Sequence, residues 1–410
     1  MKSVHIAPDP AVDQVMTDSL ADAANRRRTL WSACAAHVLH DGYADLIYVL
    51  LPVWQAEFGI GFGALAVMRS LYVGAMAGLQ LPVGRMANRL DGRYILALGT
   101  ALAALGYALV GFSGGLVGLC MALTLSGCGS SAQHPIASAA VTRAFGKDSR
   151  TPLGIYNFSG DLGKAALPAS LPLLLSFMSW RHALWVFSAI GIVVAGGLAL
   201  FAPTMARKSS LATAAGELED TARGGFTLLL VIGILDTSVR MGLLIFLPFI
   251  LKEKGASLGM IGASLGLVFI GGAAGKFVCG WLGARLGVIG TVLATESGTA
   301  ACILVILVAP LGACQLLLPL LGVMLNGTSS VLYGTVPDLT PPHRTERAFA
   351  VFYTGTIGSG AIAPIIYGVL GDAIGAVGAT IATAVTAALI LPLAIALSPY
   401  LARARAEQGV

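Results

Sequence analysis

Charge is what this sequence has least of. Lys, Arg, Asp and Glu make up 11% of its 410 residues, against the roughly 25% that a water-soluble domain uses to cover its surface. With 56% apolar residues and a mean hydropathy of +0.83, too few polar groups are left to cover a globule of this length. A soluble enzyme, a nucleic-acid binder and a disordered chain are excluded on that ground. Polar–apolar alternation is missing as well, which excludes the strands of a membrane β-barrel. No Gly-x-x-x-x-Gly-Lys-Ser/Thr phosphate loop occurs, so ATP is not the expected energy source. The six cysteines (34, 120, 128, 279, 302 and 314) show no Cys-x-x-Cys or metal-ligand spacing and read as small buried hydrophobes. The polar N-terminus ends in Arg26-Arg27-Arg28, and no short apolar region with a cleavage site follows, so a signal peptide is not expected.

What remains is apolar stretches longer than the roughly 20 residues that cross about 30 Å of hydrocarbon as a helix. Twelve are predicted, at about 29–56, 63–86, 94–112, 115–143, 151–177, 181–202, 224–250, 257–282, 288–310, 313–337, 348–371 and 375–400. With the N-terminus in the cytoplasm, 18 of the 25 Lys and Arg fall on the cytoplasmic side. Three (Arg181, Lys252 and Lys254) fall outside, and four lie within spans. That asymmetry, with an even number of spans, predicts both termini in the cytoplasm.

The chain repeats weakly about a polar loop at 203–223. Gly84, with Arg89 five residues on, follows the second span; Gly280, with Arg285 five residues on, follows the eighth, 196 residues later. Arg150 and Tyr156 open the fifth span as Arg347 and Tyr353 open the eleventh, at an offset of 197. Duplicated halves with a site at their interface are a common transporter plan. The Gly84–Arg93 segment resembles the short cytoplasmic loop signature of the major facilitator superfamily, with Asn88 where the family usually has Asp and Asp91 where it usually has Gly. Three further segments are His37-Val38-Leu39-His40-Asp41 with Leu51-Pro52, Gly129 to Pro135, and Ile155 to Gly163. Together they are similar to the fosmidomycin-resistance branch of that superfamily, proton-driven drug exporters. Ile136 and Asp161 stand where that branch has Glu and Asn.

Charge at mid-bilayer is costly, at least about 2.5–3.5 kcal/mol per group on insertion scales, so each charged residue within a span asks for a reason. The acids are Asp41, Asp45, Asp161, Asp236 and Glu296; the bases are Arg69, Lys164, Arg240 and Lys276. His37, Asp41 and Asp45 follow at i, i+4 and i+8, one stripe of a helix. Two carboxylates one turn apart repel and burial opposes their ionisation, so one can take up and release a proton near neutral pH. The resemblance implies that coupling role for Asp41. The alternative is that Asp41 and Asp45 pair with Arg69 and only hold the fold.

Asp161 and Lys164 stand at i, i+3, and Asp236 and Arg240 at i, i+4. Either these pairs are closed and structural, or Lys164 and Arg240 clamp an anionic substrate between the halves and fall back on their acids when it leaves. Arg240 suits bidentate contact with a carboxylate or phosphonate, Lys164 a point contact. Gln133-His134-Pro135 breaks the fourth span, and the resemblance implies that His134 lines the cavity. Tyr156, Asn157, Asn326, Tyr333 and Tyr353 add polar contacts or interhelical hydrogen bonds. Lys276 and Glu296 are expected to pair with each other near the cytoplasmic face, and with Gly84, Asn88, Arg89 and Arg285 to form the structural or gating set.

The expected fold is an all-α membrane protein of the major facilitator type, with twelve transmembrane helices in two pseudo-symmetric six-helix bundles. Its parts are a cytoplasmic tail 1–28, a bundle 29–202, a central loop 203–223, a bundle 224–400 and a tail 401–410, in an inner membrane. The expected partners are the bilayer, protons and a small-molecule substrate, with no nucleic acid, no cofactor and no metal, in a chain that works as a monomer. The resemblance implies export by proton antiport; a symporter or exchanger that takes up small organic anions is the alternative. An embedded enzyme or a transport-dead sensor would need a nucleophile with its base, a metal spacing or a soluble domain, and none is found.

Overall fold

Where lipid is the solvent, each backbone N–H and C=O must be satisfied within its own segment, and for these apolar stretches that means helix. The computed structural model describes residues 10–87, 89–205, 224–340 and 345–408. Asn88, the interior of the central loop and the outermost tails lie outside the described residues. Eleven α-helices are described: α1 (Pro10–Phe58), α2 (Phe62–Met86), α3 (Gly92–Phe112), α4 (Leu116–Ser130), α5 (Gln133–Phe145), α6 (Arg150–Leu175), α7 (Trp180–Phe201), α8 (Gly225–Glu253), α9 (Leu258–Val308), α10 (Leu311–Thr335) and α11 (Thr345–Gln408).

Among the described residues, eight stretches, from 21 to 57 residues, are long and apolar enough to cross a membrane. At 1.5 Å per residue the 51 residues of α9 would run more than twice the thickness of a bilayer. It folds back instead at Gly287 (φ 69°), and α11 does the same at Gly375 (φ 78°). Both glycines hold the left-handed conformation that a side chain resists. Each of the twelve predicted stretches lies largely in helix, although α1 and α6, which carry Asp41, Asp45, Asp161 and Lys164, are not among those eight. The fourth is interrupted at Ser131–Ala132, just before the Gln133-His134-Pro135 expected to break it. Pro135 sits in the first turn of α5, where its missing N–H has no intrahelical partner to lose.

The helices pack in two sets. In one, α1 lies on α6, α3 on α4 and α7, and α2 on α4; in the other, α8 lies on α11 and α9 on α10 and α11. Between the sets α2 meets α11, α6 meets α9 and α1 meets α8. A shift of about 196 residues turns α2 into the first limb of α9 and α6 into the first limb of α11, so the first two of these contacts are symmetry mates.

The sets close on each other at the end remote from the chain termini. There Leu46 to Leu51 and Trp54 of α1, and Ile245, Phe246 and Leu251 of α8, are wholly buried. Phe62 packs between Phe246 and Phe249 at ring-centroid distances of 5.4 and 5.0 Å. Gly61, the N-cap of α2, has no side chain to offer. The cap comes from α11: Asp372 accepts from the N–H of Phe62 at 2.6 Å and of Gly63 at 2.9 Å.

Candidate functional site

Below that seal, at mid-depth, the polar side chains of α1, α5, α6 and α9 converge. Asp41 is their centre. Its Oδ2 lies 3.2 Å from His37 Nε2 and 3.3 Å from Lys164 Nζ, and its Oδ1 lies 3.8 Å from His134 Nε2. The i, i+4 spacing of His37 and Asp41 makes the first contact, and the others bring α6 and α5 onto α1. Gly160 of α6 provides the room: a Cβ there would lie 2.5 Å from His37 Nε2 and 2.7 Å from Asp41 Oδ2. The His37 ring stacks on Tyr156 at 4.2 Å and meets His134 edge-on at 5.2 Å. Gln133 Nε2 donates to the Tyr156 hydroxyl at 2.8 Å.

The state of His37 follows from its neighbours. Its Nδ1 lies 2.8 Å from the Tyr156 carbonyl oxygen. A carbonyl only accepts, so Nδ1 carries a hydrogen. Nε2 then faces a carboxylate oxygen, and two lone pairs at 3.2 Å would repel. A proton therefore lies between His37 and Asp41, on one or the other. His40 is different. Its Nε2 lies 3.0 Å from Thr100 Oγ1, which itself donates to the Leu96 carbonyl, and its Nδ1 lies 3.1 Å from Ser130 Oγ, which the Tyr72 hydroxyl meets at 2.9 Å. A neutral ring satisfies both contacts, and His40 packs α1 onto α3 and α4.

Around this centre the charges are shared across helices. Asp45 pairs with Arg69 at 3.9 Å, deep among the rings of Tyr48 and Tyr72 at 5.1 and 5.6 Å. Arg69 thus neutralises Asp45 and not Asp41. Asp161 accepts from Lys276 Nζ of α9 at 2.6 Å and lies 3.8 Å from Lys164 Nζ. The Lys276–Asp161 bond joins the two helix sets. The side chains of His134, Lys164 and Lys276 stay 34–43% accessible although they meet in the interior between the sets. They line an open cleft, and with the far end sealed the cleft opens toward the termini. Asn157, exposed and one turn before Asp161, continues the Asp161–Lys164 face of α6.

Two expected pairs do not form. Lys276 and Glu296 do not meet, because the two limbs of α9 point apart: Lys276 reaches α6, while Glu296, 2% exposed, hydrogen-bonds Asp236 of α8. Asp236 and Arg240 also do not close on each other. The Arg240 guanidinium donates to Ser329 of α10 at 3.3 Å, its Nε is buried without a partner, and no ion pair of Arg240 is found among the described residues. Arg240 stays within electrostatic reach of Lys164 and Asp45 across the cleft. The Tyr353 ring packs at a tilt against Tyr333 at 4.6 Å, beside this cluster.

Ser329 was missed from sequence, although Asn326, Ser329 and Tyr333 share one face of α10 at i, i+3 and i+7. In the signature loops, a Cβ at Gly84 would meet Pro135 Cβ of α5 at an ordinary 3.9 Å. Arg89 is exposed, and Arg285, also exposed, stacks on Trp281 at 4.3 Å. Asp91 caps α3 through Arg93 N and also accepts from Met205 N at 2.8 Å. The ligand atoms of His37, Asp41 and His134 lie within 4.8 Å of one another, and the Lys164 ammonium lies 3.3 Å from the same Asp41 carboxylate.

Known proteins resemble this chain in sequence and in fold. Over 344 residues, 82% of this chain and 84% of the relative, the sequence is 22% identical to the fosmidomycin resistance protein of Escherichia coli (strain K12). A cephamycin export protein of Amycolatopsis lactamdurans is 30% identical over 164 residues, 40% of this chain and 34% of that protein. Among solved structures, a bacterial homologue of the human lysosomal transporter Spinster, inward-facing and occupied, superposes with a TM-score of 0.79 at 16% identity, covering 93% of this chain and 98% of its own. A POT-family transporter with a bound thioalcohol-conjugated peptide superposes with a TM-score of 0.71 at 14% identity, covering 91% and 96%. A sequence profile of the Major Facilitator Superfamily matches twice, at residues 33–234 and 226–409, one match for each helix set. This multi-pass membrane protein is not an enzyme: the chain belongs to the major facilitator superfamily of transporters, and it resembles the fosmidomycin-resistance branch.

Proposed function

We propose that the chain is a proton-coupled secondary transporter of the inner membrane, with both termini in the cytoplasm, that exports a small anionic or zwitterionic compound in exchange for protons. The bundles at 29–202 and 224–400, joined by the loop 203–223, rock about the central site. The signature loops (Gly84, Asn88, Arg89 and Arg285), with Lys276, control the cytoplasmic side. The observation that carries the reading is the contact of His37 Nε2 with Asp41 Oδ2, which requires a proton between them at 3.2 Å in an open cleft. Each charge moved down the potential supplies about 2.3 kcal/mol per 100 mV.

Lys164 and Arg240 hold the acidic part of the substrate, beside His134, Tyr156, Asn157, Asp161 and Tyr353. The efflux names of the two curated relatives favour export.

The charge pairs constrain the coupling. A substrate cation or hydrogen-bond donor that binds Asp41 displaces the proton, and this negative linkage drives antiport. A purely anionic substrate that draws Lys164 away leaves Asp41 to bind its proton more tightly, and this positive linkage gives symport. The 3.3 Å Lys164–Asp41 contact therefore supports a second reading, uptake of small organic anions with protons.

The test uses proteoliposomes under an imposed pH gradient, with fosmidomycin and a cephamycin as probes. Concentration of a probe against the proton flow, lost in Asp41→Asn while that protein stays monodisperse, is the expected result. Undiminished gradient-driven transport by Asp41→Asn would refute the coupling assignment.

A further inference from the structure

The inner face of the second helix set carries two acids, Asp236 and Glu296, and two bases, Arg240 and Lys276, and among the described residues neither base forms an ion pair with either acid. Asp236 of α8 and Glu296 of α9 are 3% and 2% exposed, and their carboxyl groups share a hydrogen bond. Two carboxylates in contact away from water do not both stay ionised.

Threonine hydroxyls, not water, surround Glu296. Thr295 Oγ1 donates to the Thr291 carbonyl at 2.9 Å, and Thr328 Oγ1 donates to Thr295 Oγ1 at 2.7 Å. Thr328 Oγ1 also lies 3.4 Å from the Met324 carbonyl oxygen. The buried pair therefore holds one hydrogen between its two carboxyl groups.

The positive charge facing the pair is Arg240, one turn beyond Asp236, whose guanidinium donates to Ser329 and keeps its Nε unpaired. Ser329 also lies beside Asp236. From α10, Tyr333 lies within electrostatic reach of both Asp236 and Arg240. Across the cleft Arg240 reaches Asp45 and Tyr48 of α1 and Lys164 of α6. Lys276, the other base of this set, is committed to Asp161.

We infer that Glu296, held by Asp236, is a second proton-binding site of this transporter, and that Arg240 sets its occupancy. While Arg240 is free of substrate, its charge favours ionisation of the pair. An anionic group that neutralises Arg240 removes that field, and the pair keeps its proton. The second proton thus binds together with the substrate's acidic group. The coupling rests on the reading of Arg240 as an anion-facing base; the protonation itself does not.

The experiment needs no substrate. Infrared spectra of the full-length protein in lipid nanodiscs, titrated with pH, are compared with protein carrying ¹³C-carboxyl glutamate. The expected result is a protonated-carboxyl C=O band near neutral pH that shifts with the glutamate label and on exchange into D₂O. It is lost in Glu296→Gln, kept in Asp41→Asn, and persists to more alkaline pH in Arg240→Gln. The label identifies the band even where a variant does not fold. Absence of a label-sensitive acid band overturns the site. A band whose titration is unmoved in Arg240→Gln overturns the control by Arg240. Loss of gradient-driven transport in Asp41→Asn is a separate readout, so failure of the second site and failure of the first coupling site are told apart.

Discussion

Removing Asp372 unlocks the sealed end. The carboxylate of α11 accepts two hydrogen bonds, at 2.6 and 2.9 Å, from the first turn of α2 in the opposite helix set, and α2 has no capping side chain of its own. Such a cap lasts only while α2 and α11 stay together, so its loss bears on the conformational equilibrium and hardly on the fold of either set. Loss of an N-cap costs about 0.5–2 kcal/mol. Two charge-assisted bonds deep in a protein would contribute more, but Asp372 is exposed to water, and a figure of about 1 kcal/mol is reasonable for a screened carboxylate at a helix N-terminus. At RT of about 0.6 kcal/mol, Asp372→Ala then raises the ratio of open to closed far ends roughly fivefold. Spin labels at Gly114→Cys and Gly312→Cys, in a background without the native cysteines, report that opening by double electron–electron resonance. One label lies in each helix set at the far end, where a Cβ meets no neighbour. A longer-distance population should grow in Asp372→Ala and less so in Asp372→Asn, which keeps an accepting oxygen. Unchanged distance distributions in both variants would show that the trans cap does not hold this end closed.

Three other changes test the site. Gly160→Ala drives a methyl group between His37 and Asp41 and should abolish gradient-driven transport, with thermal stability lowered by about 1–3 kcal/mol through overpacking. Arg69→Met strands buried Asp45 and should destabilise the protein by about 3–5 kcal/mol, whereas Arg69→Met with Asp45→Asn recovers most of that in the melting curve. Lys276→Asp should stop transport, and adding Asp161→Lys should restore part of it. The thermal-melt cycle should give a coupling of about 1 kcal/mol, since the lysine is partly accessible.

Helix positions, the fold-back points and the His37–Asp41 stripe were legible because each depends on spacing along one helix. The contacts of Lys276 and Glu296 were not. Both lie at similar depth, which made them look like partners, but depth leaves open which neighbour a helix face meets. The Asp161–Lys276 bond joins residues 115 positions apart, and that proximity is set by how α6 packs on α9. The Asp236–Arg240 spacing permits a same-helix pair. Ser329 and Glu296, on other helices, take those groups instead, and only packing decides that competition. Asp372 was overlooked because a cap in trans leaves no trace beside the helix it caps, beyond the bare glycine at Gly61.

The partition of charge limits what the cleft can carry. On the first side, Asp41, Asp45 and Asp161 face Arg69, Lys164 and Lys276, three acids against three bases. On the second, Asp236 and Glu296 face Arg240 alone, and the proton held between the two acids completes the balance. The empty cleft is therefore neutral once the proton between His37 and Asp41 has left, and it can then close without enclosing a bare charge. A proton on His37 adds one positive charge, and a monoanion alone adds one negative. Either alone makes closure costly, since an unpaired charge at mid-bilayer is penalised by at least about 2.5–3.5 kcal/mol. A zwitterion leaves the balance untouched, and an anion with a proton does so too. Exchange of cargo against protons thus favours a substrate that brings its own positive group to Asp41, while cargo with negative charge alone favours travel in company with a proton. Measured with one probe of each type, the sign of proton movement should differ between them; the same sign for both would refute charge balance as the selector of coupling.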